Sequence, residues 1–282
     1  MNSNSTNCDF QKVVLSAPDG AQAELYPYGA HVTSWRPAGD MERLFLSECA
    51  ELRSGIAIRG GVPICFPQFA GEGPLLKHGF ARLTMWKLVR IDKTSISAQA
   101  IMQLEDTKAT RAIWPHAFRA TLTVTVGGPR LRLELAIQNT GATSFTFTGA
   151  LHTYLRVNDI ATTVVENLGG VHYRDDVTGE RDVVQTGSDL CFTGEVDRVY
   201  RQVPAQVVVR EPERSMIVQS NGFSDIVVWN PGPKLCAALP DMEPAGYRRM
   251  VCVEAAVVSM PAEVPAGATW YGMQELRSGN KD

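Results

Sequence analysis

Apolar residues recur at every second position through much of the chain. In Phe118-Arg119-Ala120-Thr121-Leu122-Thr123-Val124-Thr125-Val126 the apolar members are Phe118, Ala120, Leu122, Val124 and Val126. Leu131, Leu133, Leu135 and Ile137 alternate with Arg130, Arg132, Glu134 and Gln138. A period of two predicts strands with one buried and one polar face. Gly127-Gly128-Pro129 between the two runs is a turn signal, so they form an antiparallel hairpin. The same reading predicts strands over 12–16, 21–26, 31–36, 86–91, 95–102, 144–155, 205–210, 215–220, 226–230, 250–259 and 269–276. Helical periodicity is confined to short turns near 106–113 and 243–249.

The 24 glycines and 16 prolines are spread along the whole chain, with no linker-like shift in composition and no fixed-period repeat. The expected fold is therefore all-β, a single-domain antiparallel β-sandwich over 10–276, with 1–9 and 277–282 as flexible termini. At 282 residues, with 44% hydrophobic residues, such a fold buries a large core without disulfide or metal staples.

Charge narrows the classes of function. The 27 Lys plus Arg against 30 Asp plus Glu leave a net charge of −3, which speaks against a nucleic-acid partner. No run approaches the ~18 apolar residues of a membrane-spanning helix, and the polar N-terminus has no secretory pattern. Cys8, Cys49, Cys65, Cys191, Cys236 and Cys252 are dispersed; Cys65 and Cys252 sit in apolar runs and read as buried free thiols of a cytoplasmic protein. No HExxH, zinc-ligand spacing, P-loop or GxGxxG occurs, so neither metal nor cofactor is expected.

The stretch from Ile58 to Arg82 is the least regular. Gly60-Gly61 permits close backbone approach, and Pro63 and Pro67 interrupt strand pairing. The loop carries Arg59, Gln68, His78 and Arg82. Two guanidinium forks suit an anionic group on a substrate, although surface ion pairs would also account for them. His78 could equally be a buried histidine bonded to backbone.

Two further segments carry chemistry. If Leu151, Thr153 and Leu155 share one face of a strand, His152 and Tyr154 share the other, and a histidine exchanges protons near neutrality. Glu254 is the single charge in Val251-Cys252-Val253-Glu254-Ala255-Ala256-Val257-Val258. A carboxylate there needs a partner or a pocket, and desolvation would make it a better base near pH 7. A core histidine and an arginine–glutamate pair are the structural alternatives. Asp197 either accepts sugar hydroxyls or ends a turn.

In order along nearly the whole chain, Arg59-Gly60-Gly61-Val62-Pro63-Ile64-Cys65-Phe66-Pro67-Gln68-Phe69, His78-Gly79-Phe80-Ala81-Arg82, Leu151-His152-Thr153-Tyr154, Asp197-Arg198-Val199-Tyr200, Val227-Val228-Trp229-Asn230-Pro231 and Met250-Val251-Cys252-Val253-Glu254 resemble the glucose-6-phosphate 1-epimerases, or hexose-6-phosphate mutarotases, of the aldose 1-epimerase superfamily. The resemblance implies a galactose-mutarotase-like supersandwich and interconversion of sugar anomers by ring opening. It implies His152 as general acid and Glu254 as general base, Arg59 and Arg82 on the phosphate, and Gln68, His78 and Asp197 around the sugar. A small sugar phosphate is the implied partner. Ala70, Leu155 and Gly232 depart from the family pattern and bear on the pocket wall. An epimerase of unphosphorylated aldoses and a non-catalytic carbohydrate-binding module are the alternatives.

Overall fold

The structure, a computed structural model, describes residues 11–280. Two large antiparallel sheets of eight and nine strands pack face to face, with a three-stranded sheet beside them. The hairpin predicted from alternation runs Phe118–Gly127 and Arg130–Asn139, in register from Phe118 opposite Asn139 to Gly127 opposite Arg130. Its apolar positions, among them Leu122, Val124, Leu133 and Leu135, point into the interior between the large sheets. They meet Ile64, Leu151, Ile226, Val228, Val251, Val253 and Ala255 of the facing sheet. The all-β sandwich expectation therefore holds, and its core lies where the period-two pattern places it.

Several elements differ from the expectation, among them the strand expected over 95–102, which runs Ala98–Glu105. The strand expected over 250–259 runs Met250–Val264, crossing a bulge between Val257 and Ala262 where it pairs with Phe145–Leu151. The last strand runs Thr269–Asn280, with Arg277–Asn280 paired to Arg214–Ile217, so residues 277–280, expected as flexible terminus, are part of the nine-stranded sheet. Residues 1–10, 281 and 282, including most of the termini expected to be flexible, lie outside the described residues. The strand expected over 144–155 is two strands, Phe145–Leu151 and Tyr154–Arg156. Val196–Arg201, which has no alternating pattern, is also a strand.

The interrupted strand positions the site. Both of its halves pair with Met250–Val264: Leu151 lies opposite Ala255, and Tyr154 opposite Cys252. Between them the Thr153 N–H donates to the Leu151 carbonyl at 2.9 Å. That is a three-residue turn centred on His152, which breaks the ladder and projects the ring out of it.

Candidate active site

Along Met250–Val264 the odd residues Val251, Val253, Ala255 and Val257 belong to the inter-sheet core. Period two sends Cys252, Glu254 and Ala256 to the opposite face of the same sheet. Residues directly across a ladder share a face. Glu254 lies opposite Val227 and Cys252 opposite Trp229, while Asp197 lies opposite Trp229 from the next strand. A row Asp197–Trp229–Cys252–Tyr154 thus crosses the sheet beside Glu254. The floor next to it is apolar, built of Cys65, Phe69, Ala150, Val199, Val227 and Ala256. The irregular loop from Arg59 to Arg82 covers this second face, which is why a strand flanked by apolar residues can bury a charge on one side and core on the other.

His152 and Glu254 meet there. Nδ1 of His152 is 3.3 Å from Oε1 of Glu254, and the residues are 8% and 1% exposed. The contact is close but not aligned as a hydrogen bond: His152 Nδ1 and Glu254 Oε2 are buried without hydrogen-bond partners among the described residues. Burial pushes the Glu254 carboxyl well above its usual range, and Asp197 pushes in the same direction. Burial pushes His152 well below, assisted by His78 and Arg82. Both shifts favour the uncharged forms, an imidazole beside a protonated carboxyl. Moving that proton to the imidazole creates the imidazolium–carboxylate form of the same pair. Among the described residues no arginine forms an ion pair with Glu254, so the structural alternative of an arginine–glutamate bridge is not what the fold builds.

The His152 ring is held from several sides. It stacks on Tyr154 with centroids 4.8 Å apart and an interplanar angle of 9°, so the two residues do share a face. Trp229 meets it edge-on at 6.1 Å. Its backbone N–H donates to the Pro63 carbonyl at 2.9 Å. From the opposite sheet comes Gln274, a fully buried amide. Its nitrogen donates to the Val253 carbonyl at 3.0 Å, and its oxygen accepts from the Thr153 hydroxyl at 2.5 Å. One side chain thus ties together the backbone beside Glu254 and the residue beside His152.

His78 lies 5.4 Å from the His152 ring, centroid to centroid. Its Nδ1 accepts the Ala70 N–H at 3.2 Å, which puts the ring hydrogen of the neutral form on Nε2, and Cys65 Sγ stands 3.2 Å from the same Nδ1. Burial, then Arg82 and Lys77, lower His78 to about 2, so at neutral pH it is a fixed uncharged donor. Asp197 is raised to about 7 by burial and by Asp176, and its carboxylate accepts no hydrogen bond among the described residues.

The two arginines differ. Arg59 donates from Nε to Asp241 at 3.1 Å and from a terminal nitrogen to the Tyr154 hydroxyl at 3.0 Å, and it forms an ion pair with Asp241. Arg82 donates to the Lys77 carbonyl at 2.9 Å, while its buried Nε has no partner. Its charge, with that of Lys77, acts on Glu254. Gln68 turns to its own loop: its amide nitrogen donates to the Ala70 and Leu75 carbonyls, and its oxygen accepts the Leu75 N–H.

The family departures also find their places. Ala70 adopts a φ of 46°, a left-handed conformation that glycine takes more readily. Leu155 is buried in the inter-sheet core, on the far side of the sheet from His152, so it does not shape the pocket wall. Gly232 has a φ of 59°, and a Cβ there would come within 2.7 Å of the Glu195 nitrogen, which leaves no room for a bulky residue.

Sequence reading missed Trp229 and Tyr154 as ring supports, Lys77 as a charge at the site, and Gln274. Lys77 is the immediate neighbour of His78, a usable signal. Gln274 is the polar member of an otherwise inward-facing set, since Leu276 on the same face is buried in the core. A hollow of about 580 Å³ lies elsewhere, lined in part by His172, Asp182, Arg201 and Met260. Its charges pair with one another, His172 and Arg201 both contacting Asp182.

The model of the aldose 1-epimerase family matches residues 11–277. A protein of Cenchrus ciliaris with the provisional name glucose-6-phosphate 1-epimerase is 36% identical over 277 residues, covering 95% of this chain and 84% of its own. One of Escherichia coli K12 with the same provisional name is 36% identical over 273 residues, covering 95% and 90%. The crystal structure of a provisionally named mutarotase from Salmonella typhimurium superposes with a TM-score of 0.90 at 32% identity, covering 98% of this chain and 92% of that one.

Proposed function

The chain belongs to the aldose 1-epimerase family and is an enzyme that interconverts sugar anomers, and we propose that its substrate is a hexose 6-phosphate, glucose 6-phosphate first, with His152 and Glu254 as the proton-transfer pair. The single observation that carries the assignment of residues is the 3.3 Å approach of His152 Nδ1 to Glu254 Oε1, two buried groups that each keep a buried atom, Nδ1 and Oε2, without a hydrogen-bond partner among the described residues. In a core such atoms are costly; at a site they are what a substrate completes.

Ring opening removes the proton from the anomeric O1 and adds one to the ring oxygen O5. In the imidazolium–carboxylate form Glu254 accepts the first and His152 supplies the second. Rotation about C1–C2 presents the other carbonyl face, and the reverse steps close the ring. The enzyme ends with the proton distribution it began with, so no net acid or base is consumed. Each positioned proton-transfer group contributes typically ~10²–10⁴-fold. His78, a neutral Nε2–H donor, and Asp197, an acceptor without a protein partner, hold sugar hydroxyls. Gln68 shapes the sugar pocket through the loop it braces.

Arg82 anchors the phosphate, since its bond to a carbonyl leaves its charge uncompensated. Arg59 assists with the guanidinium hydrogens not committed to Asp241 and Tyr154. Anchoring at the far end of the sugar orients the reacting carbon while leaving the opened aldehyde free to turn. The test compares anomer exchange of glucose 6-phosphate and of glucose: a kcat/KM at least tenfold higher for the phosphate supports the reading, and parity points to unphosphorylated aldoses.

A further inference from the structure

Cys252 takes no part in the proton transfers above, yet it is placed among them. It is fully buried, two residues before Glu254 on the same strand face, and lies across the ladder from Tyr154, on which His152 stacks. One ligand atom each from His152, Cys252 and Glu254 lie within 4.8 Å of one another, and all three residues are buried. His152 Nδ1, which faces Glu254 Oε1 at 3.3 Å, is buried without a hydrogen-bond partner among the described residues, and so is Glu254 Oε2.

A thiol, an imidazole and a carboxylate are the ligand types of zinc, whose bonds of ~2.0–2.3 Å need these atoms to close by only about 1 Å. A magnesium or calcium ion prefers an all-oxygen shell and is poorly served by this trio. We propose that His152, Cys252 and Glu254 form a site for a thiophilic divalent cation, Zn²⁺ or Cd²⁺, and that the bound ion arrests anomer exchange. The arrest rests on the reading of His152 and Glu254 as the proton-transfer pair: the ion occupies the lone pairs that must trade protons. Binding releases the thiol and carboxyl protons to solvent, and the imidazole contributes its neutral lone pair. The site acts as a reversible brake that free zinc applies and a chelator lifts.

The experiment uses the full chain with Cys8 and the exposed Cys49 and Cys191 replaced by serine, so that these thiols contribute nothing. Zn²⁺ binding is measured by calorimetry, and exchange of glucose 6-phosphate anomers by NMR at the same zinc concentrations. The expected result is one ion per chain, loss of exchange in step with occupancy, and full recovery with EDTA. Cys252→Ala and Cys252→Ser keep zinc-free exchange and weaken zinc binding at least tenfold. Cd²⁺ titrated into the protein with Cys252 intact gives a thiolate-to-cadmium absorption band, a readout independent of whether those variants fold. Zinc binding unchanged in both Cys252 variants, or absence of the cadmium band, overturns the site. Cys252-dependent binding with undiminished exchange upholds the metal site and overturns instead the proton-transfer reading on which the arrest rests.

Discussion

The Gln274 amide oxygen accepts the Thr153 hydroxyl across the interior of the sandwich at 2.5 Å. The same amide donates to the carbonyl of Val253. The two catalytic candidates are thus each one residue from an atom held by a single side chain of the opposite sheet. Replacing Gln274 by Leu leaves that carbonyl buried without this donor, at about 1–3 kcal/mol, and leaves the Thr153 hydroxyl only the Leu151 carbonyl at 3.4 Å. The expected outcome is a lower denaturant midpoint and a fall in kcat of up to ~10²-fold, since small misplacements of reacting groups are that costly, with KM nearly unchanged. An unaltered kcat in a destabilised variant would reduce Gln274 to a packing residue.

The arginines separate by what each leaves behind. Arg82→Ala removes a charge whose protein bond goes to the Lys77 carbonyl. Its expected effect is a KM for glucose 6-phosphate raised ~10-fold or more, with glucose itself little affected and stability nearly unchanged. Arg59→Ala strands Asp241 and the buried Tyr154 hydroxyl, so it lowers stability by roughly 1–3 kcal/mol and slows both substrates. Steady-state exchange kinetics on the two sugars, alongside thermal melts, distinguish the pair.

The pH–rate profile follows from the proton shared by His152 and Glu254. Activity needs one proton on the pair. With Glu254 raised, the last proton leaves only above the ordinary glutamate value of 4.5; with His152 lowered, a second enters only below the ordinary histidine value of 6.5. The singly protonated state therefore lies between a limb set by protonation of the imidazole and a limb set by loss of the carboxyl proton. The expected kcat profile is a broad plateau falling at both ends, with limbs that belong to the pair. A single sigmoid through neutrality would contradict it.

Stability should respond to acid through His31. This residue is fully buried, its Nε2 stands 2.7 Å from the Gly60 carbonyl, and burial lowers it to about 4. The folded state therefore resists protonation that the unfolded chain accepts from about pH 6.5 downward. Stability is full above that value and is lost as pH falls towards 4, by ~3 kcal/mol at 1.36 kcal/mol per unit. His31→Gln should flatten this part of the denaturation curve between pH 7 and 4, and an unchanged slope would assign the acid loss elsewhere.

Alternation alone placed the long strands, because each buries one face against a partner sheet. It missed Val196–Arg201, which presents Asp197 and Arg198 together and is partly covered on both sides. It also ran 144–155 together as one strand, because the turn at His152 is closed by backbone and by Gln274, a residue more than a hundred positions away. At the site, Glu254 stood out as a lone charge among apolar neighbours, and His152 was placed on the correct face by parity with Tyr154. The bracing of Gln68 onto its own loop and the commitment of Arg59 to Asp241 depend on contacts between distant segments, which no local pattern encodes.

The most direct measurement is two-dimensional exchange NMR on the α and β anomers of glucose 6-phosphate with the intact protein, His152→Ala and Glu254→Gln. The expected result is catalysed cross-peaks for the intact protein and a loss of ~10²-fold or more in either variant, with both variants still folded by circular dichroism. Undiminished exchange in a folded Glu254→Gln or His152→Ala protein would contradict it.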